Sequence, residues 1–152
     1  MTQIIRNEPG RKPREVIVRY MDPKDAGAVS RLHRDEYHAA DSLTVMRLLS
    51  YIKRSTYTPI VMELDGEIIA YAIYDLSDSG LRILHLLVAP EHRHRGHGAV
   101  MVEHMKIRLV PDEMSAICQV NEYDLDEQLF LRAQGFRCTQ TSGQSLIMEY
   151  AG

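Results

Sequence analysis

Residues 86–98 read LLVAPEHRHRGHG and determine the predicted fold of this chain. An apolar segment passes through a proline into a basic loop with two glycines, and a helical pattern follows. The first turn of a helix has unpartnered N–H groups and partial positive charge, so a loop leading into it can wrap a phosphate. Gly96 and Gly98 lack side chains that would block that approach, and Arg93 and Arg95 supply countercharge. We predict a pyrophosphate-bearing cofactor at this loop.

Other interpretations of the loop have less support. The plain alternative is a solvated basic turn that contains glycines by chance. A P-loop would require Gly-Lys-Ser or Gly-Lys-Thr, which this loop lacks. The dinucleotide-binding fingerprint would require a third glycine where the chain has Met101. A nucleotide- or phosphate-binding regulator is therefore disfavoured.

Working outward from the loop, hydrophobic periodicity predicts alternating strands and helices. The nearly continuous apolar run at 81–89 is typical of a central strand covered on both faces. Further strands are predicted at 16–21, 60–64, 68–75, 116–120, 136–140 and 145–150. Helices are predicted at 22–38, from 41 or 42 through an apolar stripe at 45–52, at 98–109 and at 125–134. The pattern indicates one α/β domain over residues 15–152, preceded by a flexible polar arm at 1–14.

Composition restricts the class of protein. The 152 residues are 45% hydrophobic and 26% charged, which is close to an average globular domain. The net charge of −3 gives no support to a nucleic-acid partner. No apolar run approaches the ~20 residues that span a bilayer, so we expect no membrane partner and, by default, a cytoplasmic location.

A family resemblance emerges from the loop together with its flanks. Arg93, Gly96 and Gly98 follow a strand ending in Val88-Ala89-Pro90, and Gly135-Phe136 comes after the last short helix. This arrangement, over about residues 15–150, resembles the GNAT superfamily of N-acetyltransferases. The stretch LFLRAQGF at 129–136 looks most like the ribosomal-protein alanine acetyltransferases. The resemblance implies a mixed, mostly antiparallel sheet flanked by helices and splayed between the strands near 81–89 and 116–120.

The resemblance also implies acetyl-CoA as cosubstrate and a primary amine as acceptor, on a protein N-terminus, a peptide or a small molecule. Backbone groups of Leu86, Leu87 and Val88 would pair with the pantetheine arm, and the amine would attack the acetyl carbonyl directly. A homodimer is compatible with this pattern. The pyrophosphate would lie on the glycine loop, formed by Arg93, His94, Arg95, Gly96, His97 and Gly98.

The chain departs from the family at its acid–base positions. Leu131 stands where many members have a tyrosine that protonates the leaving thiolate, and Asp124 replaces a frequent asparagine. Both positions border the cofactor in the family. Gln119 matches the strand glutamate that acts as general base in alanine acetyltransferases. Gln119 would orient substrate or a water instead. The alternative function is therefore a non-catalytic acyl-CoA sensor.

Histidines supply the remaining candidates. His85 interrupts the apolar strand and is either a general base or a core histidine bonded to the backbone. Strand alternation would put Leu84, Leu86 and Val88 on one face and His85 on the other. The loop histidines near Glu91 match no established ligand spacing, so no metal site is predicted.

Overall fold

The computed structural model describes residues 2–5, 14–37, 43–54 and 56–152. The strands in these ranges are β1 (Thr2–Ile5), β2 (Arg14–Tyr20), β3 (Tyr57–Leu64), β4 (Glu67–Ser77), β5 (Gly80–Val88), β6 (Ser115–Asn121), β7 (Arg137–Ser142) and β8 (Ser145–Ala151). The α-helices are α1 (Ala26–Tyr37), α2 (Val45–Lys53), α3 (His97–Lys106) and α4 (Leu125–Ala133). All eight strands join one sheet in the order β1-β2-β3-β4-β5-β6-β8-β7.

The sheet opens between its two central strands. Every neighbouring pair is antiparallel except β5 and β6, which α3 connects as a parallel crossover. Their pairing begins at Gly80 and Ser115 and ends at Ile83 and Cys118. Both strands continue beyond that point without pairing to each other, so the sheet splays. The predicted mixed sheet, mostly antiparallel and splayed at these strands, is confirmed.

Helices cover both faces of the sheet. One hydrophobic cluster joins the sheet to α3 through Met101 and Met105 and to α4 through Leu131. A second cluster on the other face joins it to α1 through Val29 and to α2 through Leu48. The opening between β5 and β6 therefore lies in the middle of the sheet, with the α1–α2 layer on one face and the α3–α4 layer on the other.

A β-bulge changes the predicted alternation in β5. Ile73 of β4 faces His85, but the next residue of β4 faces Ile83, so Leu84 is the extra residue. Leu84 is 37% exposed, whereas Leu86 and Val88 pack against the α3–α4 cluster. The prediction that Leu84 shares their face was wrong, because period-two alternation fails at a bulge. His85 does lie on the opposite face, edge-on to His33 of α1.

Side chains cap the starts of the first two helices. Asp22 caps a 3-10 turn before α1: its carboxylate accepts from the Lys24 N–H, and the Asp22 N–H donates to Asp25. The second helix begins later than predicted, with Thr44 Oγ1 accepting from the Arg47 N–H at 3.2 Å. Its predicted start at 41 or 42 lies outside the described residues.

Part of the expected N-terminal arm is a strand. Thr2–Ile5, within the predicted arm at 1–14, pairs antiparallel with β2. Without β1, β2 would be an edge strand with unpaired N–H and C=O groups, and the preceding segment bonds them. Residues 6–13, which join the two strands, lie outside the described residues.

Candidate functional site

The two loop glycines have different structural reasons. Gly96 precedes α3 with φ +85, a left-handed conformation that glycine adopts without strain. A Cβ at Gly96 would meet no atom within 4 Å, so the space above it is open. A Cβ at Gly98 would lie 3.0 Å from the Phe130 ring of α4. Gly96 thus leaves room for a ligand, whereas Gly98 allows α3 to pack closely on α4.

The loop ends in a row of free backbone donors. The first helical hydrogen bond of α3 runs from the Val100 N–H to the Gly96 carbonyl at 3.1 Å. Within the described part of the chain, no acceptor bonds the backbone N–H groups of residues 94–99. The helix dipole adds partial positive charge at the same end. These donors are suited to the oxygens of a pyrophosphate.

Arg93 is engaged with the protein. Its Nε donates to the Val88 carbonyl at 2.9 Å, and its Nη2 pairs with Glu36 of α1 at 2.9 Å. The guanidinium therefore joins the end of β5 to the end of α1. The exposed Arg95 is the loop cation that remains available as a countercharge.

The loop histidines differ in exposure. His97 is only 3% exposed, and within the described residues its Nδ1 has no hydrogen-bond partner. Burial, with the charges of His92 and Arg95, lowers the pKa of His97. Its imidazole is thus neutral and faces the protein, so its backbone N–H is what it offers a ligand. His94 is exposed and has φ +59.

The end of β5 has an open side. Beyond Ile83 it bonds only β4 among the described strands. The Ala89 N–H bonds the Ile69 carbonyl, and backbone groups alternate sides along a strand, so those of Leu87 face β4 and those of Leu86 and Val88 face the splay. An extended chain can pair with such an edge as an added strand. Because Arg93 occupies the Val88 carbonyl, Leu86 carries the free edge.

The predicted acid–base positions are not grouped together. Gln119 is exposed on β6, one residue beyond the last pair with β5 and opposite Ile147 of β8. Asp124 caps α4, with Oδ1 accepting from the Glu127 N–H at 3.0 Å. Leu131 is only 1% exposed and belongs to the core beside α3. Of the three, Gln119 and Asp124 are exposed, whereas Leu131 is buried.

His85 is packed among aromatic side chains. Its ring lies 5.6 Å from that of His33, and the His33 Nδ1 is 2.6 Å from the Tyr71 hydroxyl. Burial, together with His33 and Arg47, lowers the pKa of His85 to about 4. At neutral pH His85 is an uncharged imidazole with little affinity for a proton, which makes it a weak general base.

Sequence reasoning missed Glu127. Its side chain is half-buried in the first turn of α4. Burial and the adjacent Asp124 raise the pKa of Glu127 to about 7. Its charge also raises the pKa of Tyr37 at the end of α1. The available signal was its spacing of four residues from Leu131, which puts both on one helix face.

Among the described residues there is no candidate for a metal-binding group or for a membrane-spanning helix. No group of three His, Cys, Asp or Glu side chains there could hold a metal ion. None of the helices described is long and apolar enough to cross a membrane.

Known proteins share this architecture. A model of the acetyltransferase (GNAT) family matches residues 26–136. The Thermoplasma acidophilum PaiA N-acetyltransferase, solved with coenzyme A, superposes with TM-score 0.77 at 18% identity, covering 90% of this chain and 99% of that one. The Escherichia coli ribosomal-protein-S18-alanine N-acetyltransferase superposes with TM-score 0.72 at 17% identity, covering 90% of this chain and 96% of that one. Arabidopsis thaliana NAA60, solved with a bisubstrate analogue, superposes with TM-score 0.71 at 17% identity, covering 89% of this chain and 97% of that one. No curated protein is significantly similar in sequence to this chain.

Proposed function

Given that this chain belongs to the acetyltransferase (GNAT) family, we propose that it transfers the acetyl group of acetyl-CoA to the primary amine of a peptide or protein N-terminus. The observation that carries the proposal is the position of the glycine loop. It directly follows β5, the strand that parts from β6. A pyrophosphate donor site and an open strand edge therefore lie within one continuous segment.

The pyrophosphate and the pantetheine arm of acetyl-CoA each have a counterpart in this segment. The free N–H groups of 94–99 bind the pyrophosphate, assisted by Arg95. The pantetheine arm pairs with the open edge at Leu86, which carries the thioester into the splay. Direct attack by the amine there requires no covalent enzyme intermediate.

The acceptor class is supported by groups at the end of α1, which Arg93 joins to the end of β5. Tyr37 and Glu36 lie there, and the charge of Glu127 raises the pKa of Tyr37. Acidic and aromatic groups suit a cationic amine. Two proteins of the same fold point the same way, since one is named for a ribosomal-protein alanine and another was solved with a bisubstrate analogue.

A matched pair of glycines tests the cofactor site. Gly66, in the turn between β3 and β4, has φ +84 and open space where a methyl group would be added, as Gly96 has at φ +85. Alanine at either position introduces a comparable strain of about 1–2 kcal/mol. Gly96→Ala should weaken acetyl-CoA binding at least tenfold by calorimetry, because the methyl enters the ligand space, while Gly66→Ala binds as the unchanged protein does. Equal affinities in the two variants would argue against the loop.

A non-catalytic acyl-CoA sensor is the second candidate. It is favoured by Gln119 and Leu131, which cannot exchange protons near neutral pH. Thiol release from acetyl-CoA separates the two functions, assayed with alanine- and methionine-initiated peptides and with spermidine. Acceptor-dependent release supports the transferase. Tight acetyl-CoA binding without release from any of these amines supports the sensor.

A further inference from the structure

Glu127 lies close in sequence to the end of β6, one of the two strands that separate. It belongs to the first turn of α4, which begins just after the end of β6. Leu131, on the same face one turn later, is in the core, so this face of α4 is directed inward. The Glu127 charge also acts on Cys118, the last β6 residue paired with β5.

Hydrogen bonds fix the turn that carries Glu127. Its own N–H donates to Asp124 Oδ1 at 3.0 Å. The Gln128 side chain donates to the carbonyls of Asn121 and Glu122 at 3.1 Å and 3.0 Å. These bonds tie the start of α4 to the end of β6. A group that must meet a substrate in one geometry requires such support.

Charged groups from other elements face the same space. Asp124 lies beside Glu127. Burial raises the pKa of Tyr37, and the charges of Glu127, Glu36 and Asp124 raise it further. Arg93 lowers the pKa of Tyr37, but its guanidinium forms an ion pair with Glu36 at 2.9 Å. Among the residues described, no cation forms an ion pair with Glu127. An ammonium group on the acceptor would supply the missing countercharge.

We propose that the Glu127 carboxylate binds the ammonium group of the acceptor and removes its proton, a role that rests on the proposed acetyl transfer. This assigns to α4 the base that Gln119 and His85 do not provide. Position supports the assignment, because Glu127 is half-buried on the inward face of α4, in the turn that follows the end of β6.

The step balances in protons and electrons. Glu127 takes one proton from R–NH3+, and the freed nitrogen lone pair forms a C–N bond with the acetyl carbonyl carbon. The C–S bond then breaks with its electron pair on sulfur, and a second nitrogen proton passes to the thiolate. The products are the N-acetyl amine, the CoA thiol and protonated Glu127, which returns its proton to water.

The test is the pH dependence of kcat/KM for a peptide with an N-terminal alanine. Glu127→Gln keeps the side-chain volume and cannot accept the proton. It should lower kcat/KM at pH 7 by about 10²-fold or more, the usual contribution of a positioned base. The loss should shrink above about pH 8, the ordinary pKa of an α-amino group, because the amine then arrives neutral.

Two controls accompany this variant. Asp126→Asn removes an exposed carboxylate from the same helical turn and should leave kcat/KM unchanged at every pH. Calorimetry should give Glu127→Gln the acetyl-CoA affinity of the unchanged protein. A loss that is equal at all pH values, or no loss, overturns the role of Glu127 and leaves acetyl transfer standing. No release by the unchanged protein with any of the amines tested overturns both.

Discussion

At the scale of single residues, the charged form of Glu127 that would act as a base should lower the free energy of unfolding. Its pKa in the folded protein, about 7, exceeds the ordinary value because burial and Asp124 disfavour the charge. Its stabilising contribution is therefore complete below about pH 4.5 and is lost as the pH rises through 7. Glu127→Gln should raise the free energy of unfolding at pH 8 relative to pH 5, by on the order of 1 kcal/mol after solvent screening. Urea denaturation at both pH values measures the free energies of unfolding. A variant that gains no stability at pH 8 relative to pH 5 would contradict the prediction.

Residues also mark the limit of what the sequence predicts about the site. The loop donors were predictable because residues 93–98 are contiguous and a helix start has known unsatisfied groups. Glu127 was not, since a glutamate in a first turn is ordinary helix chemistry and its burial depends on neighbours from β6 and α1. Arg93 was predicted as a countercharge, but its contacts with Val88 and Glu36 arise only in the folded chain.

At the scale of elements, an ion pair fixes the start of α1 to the sheet. Asp25 is 6% exposed, and the Arg19 guanidinium of β2 donates to its two carboxylate oxygens at 2.6 Å and 3.0 Å. Burial alone would raise the pKa of Asp25, but the bonds from Arg19 and Asp22 hold it below its ordinary value. This stabilisation is present above about pH 4 and is lost as the pH falls through the lowered pKa.

Removal of that carboxylate should loosen α1 as an element. Asp25→Ala leaves Arg19 with Glu63 as its remaining partner, so we expect a loss of about 2–3 kcal/mol in the free energy of unfolding at pH 7. Asp22→Asn, which retains a capping side chain three residues earlier, should change it by less than about 0.5 kcal/mol. Urea denaturation compares the two. Similar losses would mean that capping, not the ion pair, holds the helix start.

The same scale separates what periodicity reveals from what it hides. Apolar spacing located the strands and the helices of the βαβ unit, because burial on one face imposes its period on the sequence. It missed the bulge at Leu84, since an extra residue leaves no mark in an apolar run. It also gave no sign of the pairing of Thr2–Ile5 with β2, which depends on an edge supplied by a later segment.

At the scale of the whole molecule, the splay divides the sheet into two halves that meet over a short parallel ladder. β1 to β5 form one half, and β6 to β8 form the other. Among the described strands, the two halves are joined by the pairs from Gly80 and Ser115 to Ile83 and Cys118 alone. The backbone groups beyond this ladder have no strand partner across the gap, so a ligand that pairs with them adds hydrogen bonds that the unliganded fold lacks.

Acetyl-CoA binding should therefore protect the two rims of the opening from hydrogen exchange. Amides at 84–88 and 94–99 should exchange more slowly in the presence of acetyl-CoA, because the first group gains a strand-like partner and the second gains phosphate oxygens. Amides at 60–62 of β3, bonded on both sides by β2 and β4, serve as the internal reference and should be unaffected. Mass spectrometry of exchange with and without the ligand resolves these segments. Protection confined to the surface of α2 around Met46 and Leu49, where the structure has another hollow, would instead place acetyl-CoA outside the splay.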